Sequence, residues 1–439
     1  MASPRAKVTT LDNGLRVVTA PQPQLHRAHV ALYVRVGSRF EEQKTSGISH
    51  FLEHMVYRGT DRLPSAHDVN LAFEQHGGYL YAATQVDYGV FSLTLPPESL
   101  AATCELFADV LIRPRFFDID IEKGIVLEEI REDLDDDGRQ IDADNLSRML
   151  IYPTHPLGFT ITGSAETVQS FDVPLLASHH ARHYTAASSV LAFSGAIDED
   201  RAVELARTAF GAMPAGAKVA AAPPAHAQKK PRVRIVDNHA SQTDLRIAFR
   251  AFAENTEQRA ALDMLMRVID DGMSTRLYHR ICDSQGLCYD VTCGYDGYED
   301  DGVVDFAAGV AHDRAAKVTG EILALMGELA QEGPTEDELA KARRRASWEV
   351  AQLADSAEEL AGAHAHALLF GRDETPDERL AKTLRVTRDE VREVARALAQ
   401  SDRLNVLAVG VLDRGEDKRL VDVVKRWKAN GASAAISRD

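Results

Sequence analysis

The sequence predicts an α+β fold of two similar halves, each a mainly antiparallel sheet covered by helices on one face. In each half a strand pattern is followed by a polar loop, an amphipathic helix, further strands and long helices, which is typical of such folds. Between the halves lies an Ala-, Pro- and Gly-rich segment without hydrophobic periodicity. The 439 residues, 45% hydrophobic and 27% charged, suit two to four globular domains.

These observations divide the chain into three parts. Residues 1–212 form a predicted N-terminal α+β domain, and residues 231–439 form a C-terminal α+β domain of similar fold. Residues 213–230 are predicted to be an exposed linker between them. Only the first half contains a histidine and glutamate cluster with metal-ligand spacing, so the predicted metal site belongs to the N-terminal domain.

Each half is predicted to contain the same local elements in the same order. These elements are the strand Ala28–Val34, the helix Ile48–Met55 and the strand Tyr88–Leu95 in the first half, and the strand Asp244–Phe249, the helix Arg259–Asp270 and the strand Val303–Val310 in the second. The second-half helix has apolar residues at helical spacing: Leu262, Leu265, Met266 and Ile269. This common order is consistent with an internal duplication.

Charge and cysteine usage exclude several classes of protein. A formal net charge of −17 argues against a nucleic-acid binder, which needs a basic face for phosphate. The acidic surface favours cationic partners such as basic peptides or serves solubility, and solubility is the preferred interpretation. The four cysteines are too few for a disulfide framework in so long a chain, and reduced thiols are expected: Cys104, Cys282, Cys288 and Cys293.

The distribution of apolar residues along the sequence indicates the cellular compartment of the protein. No stretch of the sequence approaches 18 apolar residues, so no membrane span is expected. The N-terminal sequence MASPRAKVTTLDNG lacks the apolar core of a secretory signal. A cytoplasmic location is therefore expected, and a periplasmic one is less favoured.

The predicted helix Ile48–Met55 carries candidate metal ligands and a candidate base. At about 100° per residue its apolar residues share one face: Ile48, Phe51, Leu52 and Met55. His50, Glu53 and His54 fall together on the opposite face. Two imidazoles one turn apart can reach one metal ion, and the carboxylate between them can reach a metal-bound water. Zinc suits this arrangement because it accepts neutral imidazole and lowers the pKa of bound water.

A catalytic zinc site usually has three protein ligands, so a third is needed. The best candidate lies in the segment IEKGIVLEEI, which as a helix places Glu122 and Glu129 on one face. Ile125 and Val126 share that face, which is therefore expected to be apolar and buried. Carboxylates there are costly unless a cation or hydrogen bonds satisfy them. Glu128 points about 100° away, so geometry selects Glu129 as the ligand.

The stretch GISHFLEHMVYRGT resembles the inverted zinc motif of the pitrilysin/insulinase peptidases, the inverzincins. Other stretches resemble the branch that contains mitochondrial processing peptidase and its bacterial relatives: EKGIVLEEI, HPLGFTITGS, HYTAASSVLAFSGAID and GMSTRLYHRICDSQGLCYDV. The resemblance covers nearly the whole chain, from about Val8 to Lys428. Its specific part is HxxEH followed by a glutamate about 75 residues later.

The resemblance implies a bacterial zinc metalloendopeptidase. It implies that His50, His54 and Glu129 bind one zinc ion per chain. Glu53 is the implied catalytic base, which takes a proton from zinc-bound water and passes it to the leaving amine. Glu122 matches a family glutamate that supports the site from outside the ligand set. The implied substrates are unfolded peptides or presequence-like segments, bound in extended form against a sheet edge.

Two departures from the family pattern concern substrate binding. Where the family usually has Asn-Ala-x-Thr, this chain has YAAT, so the implied substrate-binding residues are Tyr81, in place of the asparagine, and Ala82. Active members also use an arginine and a tyrosine seven residues apart in the second half. Tyr289 matches the tyrosine and is an implied substrate-binding residue, but Cys282 stands where the arginine should be. A thiol cannot donate the charged, forked hydrogen bonds of a guanidinium.

The missing arginine indicates whether the chain needs a partner subunit. In two-subunit members, one subunit supplies zinc and the other supplies the arginine-tyrosine pair. An intact zinc motif with a broken pair favours the metal-bearing subunit of a heterodimer, and a homodimer that works without the pair is the alternative. Two other functions stay open: a metal-binding protein that recognises peptides without cleaving them, and a structural subunit of a larger complex.

Overall fold

The structure, a computed structural model, describes residues 6–427, so the ends of the two predicted domains, 1–5 and 428–439, lie outside the described residues. The strands are β1 (Lys7–Thr10), β2 (Arg16–Pro21), β3 (Ala28–Val34), β4 (Tyr81–Thr84), β5 (Gly89–Leu95), β6 (Ser189–Gly195), β7 (Arg232–Val236), β8 (Thr243–Ala251), β9 (Cys288–Gly297), β10 (Gly302–Val310) and β11 (Leu404–Val409).

The helices follow the order of the chain. They are α1 (Ile48–Val56), α2 (Ala66–Glu74), α3 (Leu100–Ile112), α4 (Ile119–Glu132), α5 (Ala143–Ile151), α6 (Ala165–Ser170), α7 (Val173–His183), α8 (Glu199–Phe210), α9 (Arg259–Ile269), α10 (Arg276–Tyr278), α11 (Ala315–Glu332), α12 (Glu336–Gln352), α13 (Ala357–Leu369), α14 (Pro376–Arg385), α15 (Arg388–Leu398) and α16 (Glu416–Arg426). A π-helical turn, His279–Asp283, continues α10. Within residues 6–427, no helix is both long enough and apolar enough to cross a bilayer.

The two sheets share one topology. The first has the strand order β1-β2-β6-β3-β5-β4, and the second has the order β7-β11-β8-β10-β9. Apart from the additional β1, every strand of the first sheet has a counterpart at the same place in the second. In each sheet one pair is parallel, β2 with β6 and β7 with β11, and all other neighbours are antiparallel. The predicted α+β fold of two similar halves with mainly antiparallel sheets is confirmed.

Alternation along the second sheet divides its side chains between two faces. Leu245, Ile247 and Phe249 of β8 belong to a buried core that includes residues of α9, α11 and α15. On β11, Leu404 and Val406 join this core, whereas the alternate residues Leu407 and Val409 pack with α5. Several helices therefore cover one face, as predicted, and α5 lies on the other.

Helix α13 lies against one face of the first sheet. It packs through Ala361 and Ala365 against Val18, Val190 and Ala192 of β2 and β6. Strand β3, which also contacts α13, is buried at every position but one. A strand buried on both faces loses the polar alternation of a half-exposed strand.

The helices α5 and α13 each pack on the sheet formed by the other half of the chain. One compact unit, called the first unit, comprises the chain up to Glu132, Phe159–Ala222 and Glu349–Glu378. The second unit comprises Asp133–Gly158, Pro223–Trp348 and the chain from Arg379 onward. Helix α5 therefore belongs to the second unit and α13 to the first. The units thus differ from the predicted domains in these two segments.

The segment 213–230 has neither helix nor strand, but parts of it are buried. Val219 is buried in the first unit, where the Arg35 guanidinium donates to its carbonyl oxygen at 3.1 Å. Gln228 is buried in the second unit and donates to the carbonyl oxygen of Leu404 at 2.9 Å. The prediction of an exposed linker was wrong at these positions because hydrogen bonds with buried groups fix the segment.

Candidate metal centre

Helix α1 begins beside a buried carboxylate. Gly47 precedes the helix with φ 91° and has no side chain to cap it. The Glu41 carboxylate supplies the acceptors instead, and the backbone N–H groups of Gly47 and Ser49 donate to it at 2.7 and 2.9 Å. A negative charge also suits the positive end of the helix dipole. Burial raises the pKa of Glu41 to about 7 in spite of these bonds. The first turn, from which His50 projects, is thereby fixed.

The two faces of α1 divide as predicted. The buried apolar face consists of Ile48, Phe51, Leu52 and Met55. Phe51 packs against Phe171 of the same unit, with ring centroids 5.4 Å apart. His50 is buried and Glu53 and His54 are partly buried, so the polar face is enclosed enough to limit water but remains accessible.

Three side chains converge beside α1. The Nε2 atoms of His50 and His54 are 3.3 Å apart. From Glu129 on α4, Oε1 lies 3.4 Å from Nε2 of His50, and Oε2 lies 3.7 Å from Nε2 of His54. Zinc bonds of about 2.0–2.1 Å in a tetrahedron separate neighbouring ligand atoms by about 3.3–3.4 Å. The donor set and its spacing therefore fit a zinc ion.

This cluster is distinctive within the part of the chain that the structure describes. There, His50, His54 and Glu129 are the one group of three or more His, Cys, Asp or Glu residues with ligand atoms within 4.8 Å of one another. The exposed Glu128 instead pairs with Arg131 on the surface of α4. The geometry thus distinguishes Glu129 from its neighbour.

Burial and hydrogen bonds prepare the two imidazoles. Burial and the neighbouring His54 lower the pKa of His50 to about 3, so its ring is neutral. Nδ1 of His54 is 2.8 Å from Oε1 of Glu122, which directs Nε2 toward the cluster. Arg58 donates to the other oxygen of Glu122. Burial alone would raise the pKa of Glu122, but the bonds from His54 and Arg58 outweigh it and lower that pKa.

Glu53 projects from α1 next to the edge strand β4. The hydroxyl of Thr84, the last residue of β4, donates to Oε2 of Glu53 at 2.5 Å. Burial raises the pKa of Glu53, and the Thr84 bond only partly opposes this. A carboxylate whose pKa moves toward neutrality is better suited to accept and return a proton.

The predicted substrate-binding residues lie on two different sheet edges. Tyr81 and Ala82 belong to β4, the edge strand of the first sheet, and the Tyr81 side chain is 54% exposed. Tyr289 is the second residue of β9, the edge strand of the second sheet, and is 93% exposed. The first unit therefore contains the three ligand candidates, Glu53, Tyr81 and Ala82, whereas Tyr289 belongs to the second unit.

The position of the missing arginine lies in the π-helical turn of the second unit. Cys282 occupies it, with its side chain partly buried. Arg280, two residues earlier, donates to both carboxylate oxygens of Glu328 at 2.8 and 2.7 Å. Both bonds come from Nη2, so an ion pair within the second unit already engages the guanidinium of Arg280.

One prediction about the surroundings of the cluster was wrong. Ile125 was expected on the buried face of α4, but it is 47% exposed, whereas Val126 is fully buried. The two residues are about 100° apart on a helix. The buried strip of α4 is narrower than predicted and follows Glu122, Val126 and Ile130.

Three residues that support the site were not predicted. Thr84 holds Glu53, Arg58 holds Glu122, and Glu41 holds the start of α1. Thr84 ends the YAAT stretch, so the sequence contained a signal for it. Arg58 and Glu41 gave no comparable signal, because an arginine or a glutamate near a helix is most often a solvated surface residue.

Two family profiles match most of the chain. The family described as Insulinase (Peptidase family M16) matches residues 16–161. The family described as Peptidase M16 inactive domain matches residues 170–346. The first range contains the three ligand candidates and Glu53, and the second contains Cys282 and Tyr289.

The chain is also similar to bacterial proteins named as uncharacterized zinc proteases. The relative from Mycobacterium tuberculosis is 32% identical over 397 residues, which cover 89% of this chain and 90% of the relative. The relative from Streptomyces coelicolor is 29% identical over 428 residues, covering 95% and 92%. The relative from Bacillus subtilis is 28% identical over 400 residues, covering 90% and 95%.

Solved structures share the fold. A protease from Helicobacter pylori aligns with a TM-score of 0.85 and 21% identity, covering 93% of this chain and 100% of that one. A peptidase M16 inactive domain from Pseudomonas fluorescens aligns with a TM-score of 0.85 and 19% identity, with the same coverage. The periplasmic protease PqqL from Escherichia coli aligns with a TM-score of 0.79 and 22% identity, covering 99% of this chain and 51% of that one.

Proposed function

We propose, because the chain belongs to the insulinase family (peptidase family M16), that it is a zinc metallopeptidase hydrolysing peptide bonds in unfolded peptides or presequence-like segments. The observation that carries the proposal is the cluster of ligand atoms from His50, His54 and Glu129. The two Nε2 atoms are 3.3 Å apart, and Oε1 and Oε2 of Glu129 lie 3.4 Å from Nε2 of His50 and 3.7 Å from Nε2 of His54, respectively. These spacings suit tetrahedral zinc. A carboxylate base, Glu53, projects from the same helix face.

The residues of the site have separate tasks in this reaction. A zinc ion held by the three ligands would polarise the scissile carbonyl and make a water molecule more acidic. Glu53 accepts a proton from the attacking water as its oxygen bonds to the carbonyl carbon. Glu53 then returns this proton to the amide nitrogen as the C–N bond breaks. Thr84 holds Oε2 of Glu53, which leaves Oε1 to exchange the proton.

The position of β4 supports an extended substrate. Within the described sheet β4 pairs only with β5, so its other edge can accept a peptide as an added strand. Tyr81 and Ala82 would contact such a strand, and Thr84 links the same strand to Glu53. Backbone pairing reads side chains loosely, which suits unfolded peptides of varied sequence.

The second unit supports a need for a partner subunit. Tyr289 is exposed, but Cys282 replaces the arginine expected seven residues before it, and Arg280 is engaged by Glu328. We propose that a homologous subunit supplies an arginine-tyrosine pair, so that this chain is the catalytic subunit of a heterodimer. A homodimer that works without the arginine is the alternative.

Cleavage of an internally quenched peptide tests the proposal. The chain would be assayed alone and with a homologous subunit that carries the arginine-tyrosine pair. The mixture should cleave, and Glu53→Gln should reduce the rate by about 10²–10⁴-fold, because the base is lost. Glu128→Gln, an exposed neighbour of the site, is the control and should keep the rate.

The outcomes separate the two parts of the proposal. Strong cleavage by the isolated chain that Glu53→Gln abolishes would refute the heterodimer and retain the peptidase. Full activity of Glu53→Gln in the mixture would refute the assigned base. A chain that binds the peptide at the β4 edge but cleaves nothing, alone or mixed, would instead be the non-cleaving peptide-recognition or structural subunit, an alternative that Tyr81 and Cys282 keep open.

A further inference from the structure

Two cysteines of the second unit lie side by side. Cys282 belongs to the π-helical turn His279–Asp283, and Cys288 is the first residue of β9. Their Sγ atoms are 3.8 Å apart, and both side chains are partly buried rather than enclosed. Two partly accessible thiols at this distance are a candidate modification site.

The turn between the cysteines holds them together. The backbone N–H of Gly286 donates to the carbonyl oxygen of Cys282, and that of Leu287 donates to Ile281, each at 2.9 Å. Gly286 has φ 58°, a left-handed conformation that favours glycine and reverses the chain. The reversal returns Cys288 to the side of Cys282. The thiols are therefore preorganised by backbone hydrogen bonds.

We propose that Cys282 and Cys288 are a redox modification site, at which a low-molecular-weight disulfide oxidises the pair to an intramolecular disulfide. The sulfur atoms must approach from 3.8 Å to about 2.05 Å to form the bond. Because the connecting turn is short and already ordered, closing the ring costs little additional chain entropy.

The reaction balances as two thiol–disulfide exchanges. Deprotonated Cys282 attacks one sulfur of the small disulfide RSSR, forming a mixed disulfide and releasing one thiolate, which takes up a proton. Deprotonated Cys288 then attacks the Cys282 sulfur of the mixed disulfide and releases the second thiolate. Overall, two protein thiols and RSSR give one protein disulfide and two RSH. The protein loses two electrons, and RSSR gains them.

The protonation of the thiols sets the speed of this reaction. Burial raises the pKa of Cys282, and burial together with the neighbouring Cys282 raises the pKa of Cys288 to about 12. The thiolate is the attacking species, so oxidation should be slow at neutral pH and faster as the pH rises. The more strongly raised pKa of Cys288 favours Cys282 as the first to react.

A shared metal ion fits this pair less well. Among the described residues, no third His, Cys, Asp or Glu ligand atom completes a cluster with these two sulfur atoms. Cys293, also on β9, packs against the core of the second sheet, and burial raises its pKa well above the ordinary value. Cys104 is buried in the first unit. Cys104 and Cys293 are therefore the internal controls for the oxidation of the pair.

The full chain, reduced and then incubated with excess oxidised glutathione at pH 8, tests the proposal. After alkylation of the remaining thiols, the four free cysteines should fall to two, and a peptide map should contain the Cys282–Cys288 link. Cys104→Ser and Cys293→Ser should form the same link. Cys282→Ser and Cys288→Ser should form none and should carry bound glutathione at the remaining cysteine.

The map of the unsubstituted chain decides the result even where a variant folds poorly. Four thiols that survive oxidation would overturn the proposal. So would glutathione adducts without an internal link, a link that involves Cys293, or disulfides between chains. The readout is chemical and independent of peptidase activity, so the proposed function and this modification can fail separately.

Discussion

The two units have sheets of the same topology but differ in the helix that follows the equivalent strands β3 and β8. In the first unit β3 leads to α1, whose polar face carries His50, Glu53 and His54. In the second, β8 leads to α9, where Arg259 and Asp263 pair with each other on the polar side. The shared topology therefore positions a helix, and the side chains on one of its faces decide whether that helix can bind a metal.

The exchanged helices make the same point about the fold. Helix α5 follows α3 and α4 in the first half, and α13 follows α11 and α12 in the second. Each packs on the sheet of the other half. These helices repeat like the sheets, which supports a duplication of the whole structural half. The metal ligands are the part that is not repeated.

Truncation of matched core residues should have the largest effect on stability. Leu52 of α1 and Leu262 of α9 are both fully buried, so Leu52→Ala and Leu262→Ala should each lower the free energy of unfolding by about 2–5 kcal/mol. Urea titrations measure the loss. Only Leu52→Ala should also weaken zinc binding, because α1 carries two of the ligands and α9 carries none. If both variants weakened zinc binding equally, the metal site would not depend specifically on α1.

Each unit contains a glutamate that pairs with an arginine, and a comparison of the two glutamates tests the support of the metal site. Glu122→Gln should lower zinc affinity by about 10–100-fold, because it weakens the support of His54 and loses the charged bond with Arg58. Competition with a chelator measures the affinity. Glu338→Gln, which breaks a comparable pair with Arg276 in the second unit, is the control. If Glu338→Gln lowered the zinc affinity as much as Glu122→Gln does, a specific role of Glu122 in the metal site would be contradicted.

A smaller effect concerns pH. Burial raises the pKa of Glu41 from 4.5 to about 7 in the first unit, and that of Asp305 from 3.8 to about 7 in the second. A folded pKa above the unfolded value means that the folded state holds its proton more tightly. The stability that each group contributes is thus present below the unfolded pKa and is lost as the pH rises through about 7.

Neutral replacements should remove this loss. Glu41→Gln and Asp305→Asn should each flatten the decline in unfolding free energy between about pH 4 and 7. Denaturant titrations across that range provide the measurement. Only Glu41→Gln should also lower zinc affinity, because Glu41 accepts bonds from the start of α1. An unchanged decline in either variant would show that its carboxyl is not the group responsible.

Local patterns accounted for most of the fold. The strand Ala28–Val34 was predicted at its observed bounds, and the helices α1 and α9 were predicted to within one residue, because hydrophobic periodicity is a local property. The exchange of α5 and α13 was not predicted, since the sequence of an amphipathic helix does not state which sheet it covers. The burial of Val219 was missed because it depends on Arg35, which is distant in the sequence.

The candidate site was predictable where it lies on one helix face. The spacing of His50, Glu53 and His54 determined their common direction, and helical rotation distinguished Glu129 from Glu128. The supporting bonds to Thr84, Arg58 and Glu41 depend on how distant segments approach, so helical spacing could not predict them. Ile125 was misplaced because only a narrow strip of α4 is buried.

The zinc content of the purified chain shows whether His50, His54 and Glu129 hold a metal ion. The chain and its Glu129→Gln and Glu128→Gln variants would be dialysed against a weak chelator, and the bound zinc would be counted by atomic emission. We expect one zinc per chain in the unsubstituted protein and in Glu128→Gln, and little or none in Glu129→Gln. Equal zinc in all three would contradict Glu129 as a ligand, and its absence from the unsubstituted chain would contradict the metal site itself.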